Sequence, residues 1–113
     1  MSESIVQKKL AKLIQQEMGE IIQHERMGMS GSLVSVSLVR VPADLGMAKV
    51  YITAFPDKAL GQVVEDLNEN VWEYRKKLAA KIKNKVRKIP EIRFYPDDSF
   101  REAEKINQLL DDL

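Results

Sequence analysis

Leu33-Val34-Ser35-Val36-Ser37-Leu38-Val39-Arg40-Val41, then Pro42-Ala43-Asp44-Leu45-Gly46, then Met47-Ala48-Lys49-Val50-Tyr51-Ile52-Thr53-Ala54-Phe55 is the stretch that decides the fold. In its first flank Val34, Val36 and Leu38 alternate with Ser35 and Ser37. In its second, Ala48, Val50, Ile52 and Ala54 alternate with Lys49, Tyr51 and Thr53. An apolar period of two belongs to a strand with one face buried, because successive side chains point to opposite sides of a sheet. The five residues between the flanks include Pro, Asp and Gly, which turn the chain, and are few enough to fold the two strands antiparallel.

Outward from this hairpin the period returns to that of a helix. Residues 4 to about 25 place Ile5, Val6, Leu10, Leu13, Ile14, Ile21 and Ile22 on one stripe, with Ser4 as the N-cap. Met27-Gly28-Met29-Ser30-Gly31 ends that helix in a loop. Beyond the hairpin, Leu60, Val64, Leu67, Val71, Leu78, Ile82 and Ile89 fall in one sector of a helical projection running from Lys58 to about Lys88. One straight helix of roughly 30 residues is long for a small domain, so a bend near its middle is expected. Pro90 ends the helical pattern, and Glu91 to Tyr95 alternates Ile92 and Phe94 with Arg93 and Tyr95 as a third strand. Ser99-Phe100-Arg101-Glu102 has the form of a capping box opening a last helix with Ile106, Leu109 and Leu110. The expectation is an α+β, two-layer sandwich in which a three-stranded sheet carries helices on one face, forming a single domain over residues 1–113.

Composition narrows the chemistry. The chain has 113 residues with no Cys and one His, so thiol catalysis, disulfides and thiolate metal sites are excluded and imidazole chemistry has little to work with. No apolar run has the length of a membrane span, and Met1-Ser2-Glu3-Ser4 lacks the basic-then-apolar pattern of a signal peptide. A cytoplasmic protein is the expectation. Asp97 and Asp98 are adjacent and unaccompanied by a nucleophile, a phosphate-binding loop or a carboxylate cluster. The expectation is therefore no enzyme, no catalytic residue, no metal and no cofactor.

Charge is the strongest signal. Arg75, Lys76, Lys77, Lys81, Lys83, Lys85, Arg87 and Lys88 follow one another without an acid between them, whereas the rest of the chain is net acidic and the total is only +1. Solvated helix faces ordinarily mix signs. Eight unrelieved cations on one helix repel one another, a cost that a polyanion would remove. These residues are the candidate RNA contacts, acting on phosphates rather than on base edges.

Several stretches resemble the ribosome-binding factor A family, bacterial assembly factors of the small ribosomal subunit with a KH fold of the second type. The resemblance covers nearly the whole chain. It is most specific over Val34 to Ile52, including Pro42-Ala43-Asp44-Leu45 and Ala48-Lys49-Val50-Tyr51. It continues at Asn68, at Arg75-Lys76-Lys77-Leu78, at Arg87-Lys88-Ile89-Pro90-Glu91-Ile92-Arg93-Phe94 and at Asp97-Asp98-Ser99. The family's helix pair is joined by an Ala-x-Gly kink, and the matching residues here are Asn70-Val71-Trp72, which places the bend between Glu69 and Arg75 and adds Asn70 and Trp72 as second-rank RNA candidates. The resemblance implies binding to the 30S subunit and its 16S rRNA, a role in late maturation and in processing of the precursor's ends, no small-molecule substrate and a free monomer. A protein-binding adaptor and a minimal nuclease are the competing classes.

Four further features have plainer readings. Trp72 lies at the margin of the apolar stripe and reads as packing at the rim of the core, with base stacking as the alternative. Tyr51 and Tyr95 share the open sheet face, where cross-strand packing is the simpler account and base stacking, as on an RNA-recognition-motif sheet, is the alternative, although that fold wants four strands and this chain offers three. His24 reads as a surface residue near a helix C-terminus. Gly28-Met29-Ser30-Gly31 looks like a nucleic-acid loop but stands between the first helix and first strand, where a KH fold has none.

Overall fold

Ser4 starts the first helix with a reciprocal cap: its hydroxyl accepts from the Gln7 backbone N–H at 3.1 Å while the Gln7 side chain accepts from the Ser4 N–H at 2.9 Å. This helix, α1 (Ile5–Glu25), is the first element of a computed structural model that describes residues 4–26 and 33–97. Its buried stripe is Leu10, Ala11, Ile14, Met18, Ile21 and Ile22. Ile5 and Val6, expected within that stripe, are exposed, because the helix's first turn reaches beyond the layer it packs on and Val6 borders an open cavity instead.

Strands β1 (Leu33–Arg40), β2 (Met47–Phe55) and β3 (Glu91–Pro96) form one mixed sheet in the order β1-β2-β3. β1 runs antiparallel to β2, with Val34 opposite Ala54 and Val36 opposite Ile52. The connection turns as its residues dictate: the Leu45 N–H donates to the Pro42 carbonyl at 3.0 Å and the Gly46 N–H to the Asp44 carboxylate at 2.8 Å. β3 runs parallel to β2, pairing Ala48 with Ile92 and Val50 with Phe94. A parallel pair needs a long crossover, which the intervening helices supply.

In β2 and β3 the expected parity holds: Ala48, Val50, Ile52, Ala54, Ile92 and Phe94 are buried. β1 departs from it. Its register shifts between Val36 and Leu38, a bulge at Ser37 that turns every later side chain to the other face. Leu38, expected inward with Val34 and Val36, is therefore 39% exposed, while Val39 is 4% exposed and Val41 is buried.

The long helical stretch is broken where the family's junction falls. After a 3-10 turn at Asp57–Ala59 come α2 (Leu60–Glu69) and α3 (Val71–Ile82), separated at Asn70 with φ −110° and ψ 21°. The Asn70 side-chain amide donates to the Asp66 carbonyl at 2.8 Å, giving a helix-end acceptor a partner. Leu60, Val64, Leu67, Leu78 and Ile82 are buried, and Val71 and Ile89 partly so. Helix α3 ends at Ile82, not near Lys88. Pro90 forces extended backbone before it, and in residues 83–90 only Val86 and Ile89 continue the apolar stripe.

Among the described residues the architecture is α1-β1-β2-α2-α3-β3, the type II KH order, with all three helices against the sheet face that carries Val50, Ile52 and Phe94. Asn68 clamps helix to sheet: its side chain accepts from the Phe94 N–H and donates to the Phe94 carbonyl, both at 2.9 Å. The expected final helix with Ile106, Leu109 and Leu110, and the Gly28 to Gly31 segment, lie outside the described residues.

Candidate nucleic-acid interface

The eight cations do not share one helix. Arg75, Lys76, Lys77 and Lys81 stand on α3, Lys83 caps it, and Lys85, Arg87 and Lys88 belong to the following segment. This corrects the picture of one uninterrupted charged face.

Three of the eight are engaged within the fold. The Arg75 guanidinium donates to the Ile89 carbonyl at 2.8 Å and the Pro90 carbonyl at 3.0 Å, using its fork to fasten the segment entering β3. Lys77 pairs with Glu25 at the end of α1. Lys81 sits between Glu17 at 3.5 Å and Glu20 at 3.4 Å. The hydrogen bond from Lys77 holds the Glu25 carboxyl below its ordinary range, against a smaller opposing effect of desolvation. The acids missing from the basic run are therefore supplied from α1, and two of its charges are locally balanced.

The other five differ. Lys76, Lys83, Lys85, Arg87 and Lys88 are exposed, and no ion pair holds any of them among the described residues. Lys85, Arg87 and Lys88 join Lys9 around a cavity of about 490 Å³ whose walls include Val6, Leu10, Leu13, Leu45 and Val86, with Asp44 as its acid. The backbone that carries them is held at both ends: the Lys83 N–H donates to the Ala79 carbonyl at 2.9 Å, and Arg75 fixes Ile89 and Pro90.

The second-rank candidates sit at the helix junction. Asn70 is exposed, with its amide committed to Asp66. Trp72 is 71% exposed, which corrects the expectation of rim packing: α3 turns Tyr74 and Leu78 inward and leaves Trp72 and Glu73 facing away. Tyr74 meets Phe94 edge-on at 5.7 Å between ring centroids, and burial raises its hydroxyl pKa. His24 is exposed in the last turn of α1. Among the described residues no three His, Asp or Glu side chains gather as a metal site, and no helix is long and apolar enough to cross a membrane.

Sequence reasoning found the cations but not their partition. Glu25 lies 52 residues from Lys77 and Glu20 61 residues from Lys81, with Glu17 farther still, and no local spacing pointed to them.

The model of one family, ribosome-binding factor A, matches residues 6–110 of this chain. The ribosome-binding factor A of Chlorobaculum tepidum is 42% identical over 108 residues, covering 95% of this chain and 89% of that protein. The Christiangramia forsetii protein of the same name is 36% identical over 112 residues, covering 97% of this chain and 86% of its own length. Among solved structures, the crystal structure of ribosome-binding factor A from Thermus thermophilus superposes with a TM-score of 0.67 at 22% identity, covering 80% of this chain and 94% of that one, a likeness of fold. Coordinates of the Thermus thermophilus factor have also been fitted into a cryo-EM map of a 30S complex; they align with a TM-score of 0.60 at 22% identity over 78% of this chain and 91% of that one. By the match over residues 6–110 and these identities across most of its length, the chain belongs to the ribosome-binding factor A family.

Proposed function

We propose that this chain, acting as a single domain, binds the small ribosomal subunit through its 16S rRNA, supports late maturation of that subunit, and thereby permits processing of the ends of precursor 16S rRNA. The observation that carries the reading is the segment after α3, where exposed Lys83, Lys85, Arg87 and Lys88, with Lys76 nearby, offer positive charge on a pinned backbone in a chain of a ribosome-binding family. Membership in that family and the fitting of the Thermus factor into a 30S map support the choice of partner. Lysine and arginine on an exposed turn recognise phosphate position and RNA shape more than base identity, which suits a factor that docks on folded rRNA. Arg75, Lys77 and Lys81 contribute chiefly by holding this surface in place. Asn70 and Trp72 form the edge of the interface at the helix junction. The reading assigns the chain no chemical step, cofactor or metal; other enzymes cut the precursor. The free protein is a cytoplasmic monomer.

Sedimentation of cell lysate tests the reading. The protein is expected to co-migrate with free 30S subunits at low salt and to leave them at high salt. Failure to co-migrate at low salt would refute it, and retention on a ribosomal protein after digestion of the rRNA would make the chain a protein-binding adaptor.

A further inference from the structure

Among the described residues no helix covers the sheet face turned away from α1, α2 and α3, and the pairing register orders it in rows. Met47 lies beside Glu91, Lys49 beside Arg93 with Arg40 across β2, and Tyr51 beside Tyr95 with Leu38 across β2; Ser35 faces Thr53, and Leu33 faces Phe55. Leu38 enters this face only because of the Ser37 bulge. The Tyr51 and Tyr95 rings lie 5.8 Å apart between centroids with planes tilted by 30°, forming one aromatic strip. The Lys49 ammonium stands 5.9 Å from the Tyr95 ring centroid, near the outer limit of a cation–π contact. Lys49 and Arg93 are exposed, and among the described residues neither is in an ion pair. The Asp97 carboxylate, which borders the strip, accepts from Ser37 Oγ at 2.6 Å.

We propose that this face is a second RNA surface, on which one or two unpaired bases stack on the Tyr51–Tyr95 strip while phosphates of the same strand meet Lys49 and Arg93. Neighbouring rows are about 6.8 Å apart, two residues of strand, so base plane and backbone charge find partners in adjacent rows. Aromatic rings beside a cationic row are the combination that binds single strands without sequence preference. In the chain the cationic segment already described comes just before β3, which carries Arg93. A protein partner suits the face less well. Leu33 and Phe55, 74% and 73% exposed, are cut off from the tyrosines by the polar Ser35–Thr53 row, so no broad apolar patch forms among the described residues. The proposal rests on the reading of the chain as an rRNA-binding protein and adds to it a site for unpaired nucleotides.

The test uses the full chain and two probes, an unstructured oligouridine decamer and a blunt RNA duplex with similar phosphate number. Tyr95→Leu is expected to weaken decamer binding roughly five-fold or more and to leave duplex binding unchanged, since duplex bases are already stacked. Lys49→Gln with Arg93→Gln should flatten the decamer's log–log salt slope by about 1.4. The wild-type protein gives an independent readout: titration with the decamer should shift the ring-proton resonances of Tyr51 and Tyr95 upfield, whatever the fate of the variants. A folded Tyr95→Leu protein with wild-type decamer affinity, or ring resonances that stay in place while amides of residues 83–88 move, would overturn the second surface and leave the first intact. Binding of neither probe by the wild-type chain would overturn both.

Discussion

Replacing Lys83, Lys85 and Arg87 with Gln removes three of the five exposed cations of the α3 region that form no ion pair among the described residues, and none of those engaged in the fold. Each phosphate contact on a single strand contributes about −0.7 to the slope of log affinity against log salt. Five contacts from Lys76, Lys83, Lys85, Arg87 and Lys88 therefore give about −3.5, an affinity loss of roughly 130-fold between 50 and 200 mM salt. The two cations left in this region account for about −1.4, so the triple variant should flatten the slope by about 2 units. Fluorescence anisotropy of a labelled RNA over a potassium chloride series measures this directly. The control is Lys77→Gln with Lys81→Gln, which removes nearly as much formal charge from the same sequence run but from side chains held by Glu25, Glu17 and Glu20. That variant should keep the slope and lose little folding stability, because exposed ion pairs contribute little. A control that flattens the slope as much as the triple variant would refute the partition of the cations. So would a triple variant with an unchanged slope.

Ile52→Ala, at a fully buried position in the central strand, should cost about 2 to 5 kcal/mol in urea unfolding; an unchanged midpoint would contradict its burial. Asn68→Leu leaves both polar backbone groups of Phe94 without their partners and should cost about 1 to 3 kcal/mol by the same assay. Arg75→Gln removes the fork that spans two carbonyls and should cost about 1.5 to 3 kcal/mol while leaving the RNA salt slope unchanged; a slope flatter by about 0.7 with intact stability would make Arg75 a phosphate contact. The Glu25 carboxyl has a lowered pKa when folded, so its contribution is complete above the unfolded value and disappears as pH falls through the folded one. Glu25→Gln should therefore reduce the acid sensitivity of unfolding, seen in melts between pH 6 and about 3.

The strands were legible to the degree that parity ran uninterrupted. In β2 every apolar residue of the alternating set is buried, because nothing displaces the register from Met47 to Phe55. In β1 the same alternation misplaced Leu38, since the bulge at Ser37 is held by long-range bonds, Ser37 Oγ to Asp97 and to the Tyr51 carbonyl, which no window of β1 contains. The break at Asn70 was equally hidden from periodicity. Val64, Leu67, Leu78 and Ile82 remain in phase across it, and only the likeness to the family marked its place. Charge behaved in the same way: the run from Arg75 to Lys88 was evident, but which cations were spare depended on Glu17, Glu20 and Glu25 arriving beside α3 through packing of α1.

That partition gives the basic surface its rigidity. Lys77 and Lys81 tie α3 to α1, and Arg75 reaches from the middle of α3 to the far end of the segment that carries Lys85, Arg87 and Lys88. The segment is thus closed at both ends, by the Lys83 N–H on Ala79 and by Arg75 on Ile89 and Pro90, and its entropy of ordering is lost on folding rather than on binding. A cation that contributes nothing to the salt slope can then still raise affinity, by fixing where its neighbours stand. Loosening the closure should weaken RNA binding by the same factor at every salt concentration, whereas deleting an exposed cation should weaken it most at low salt. The two kinds of variant separate on one plot of affinity against salt, one as a parallel displacement and the other as a change of slope.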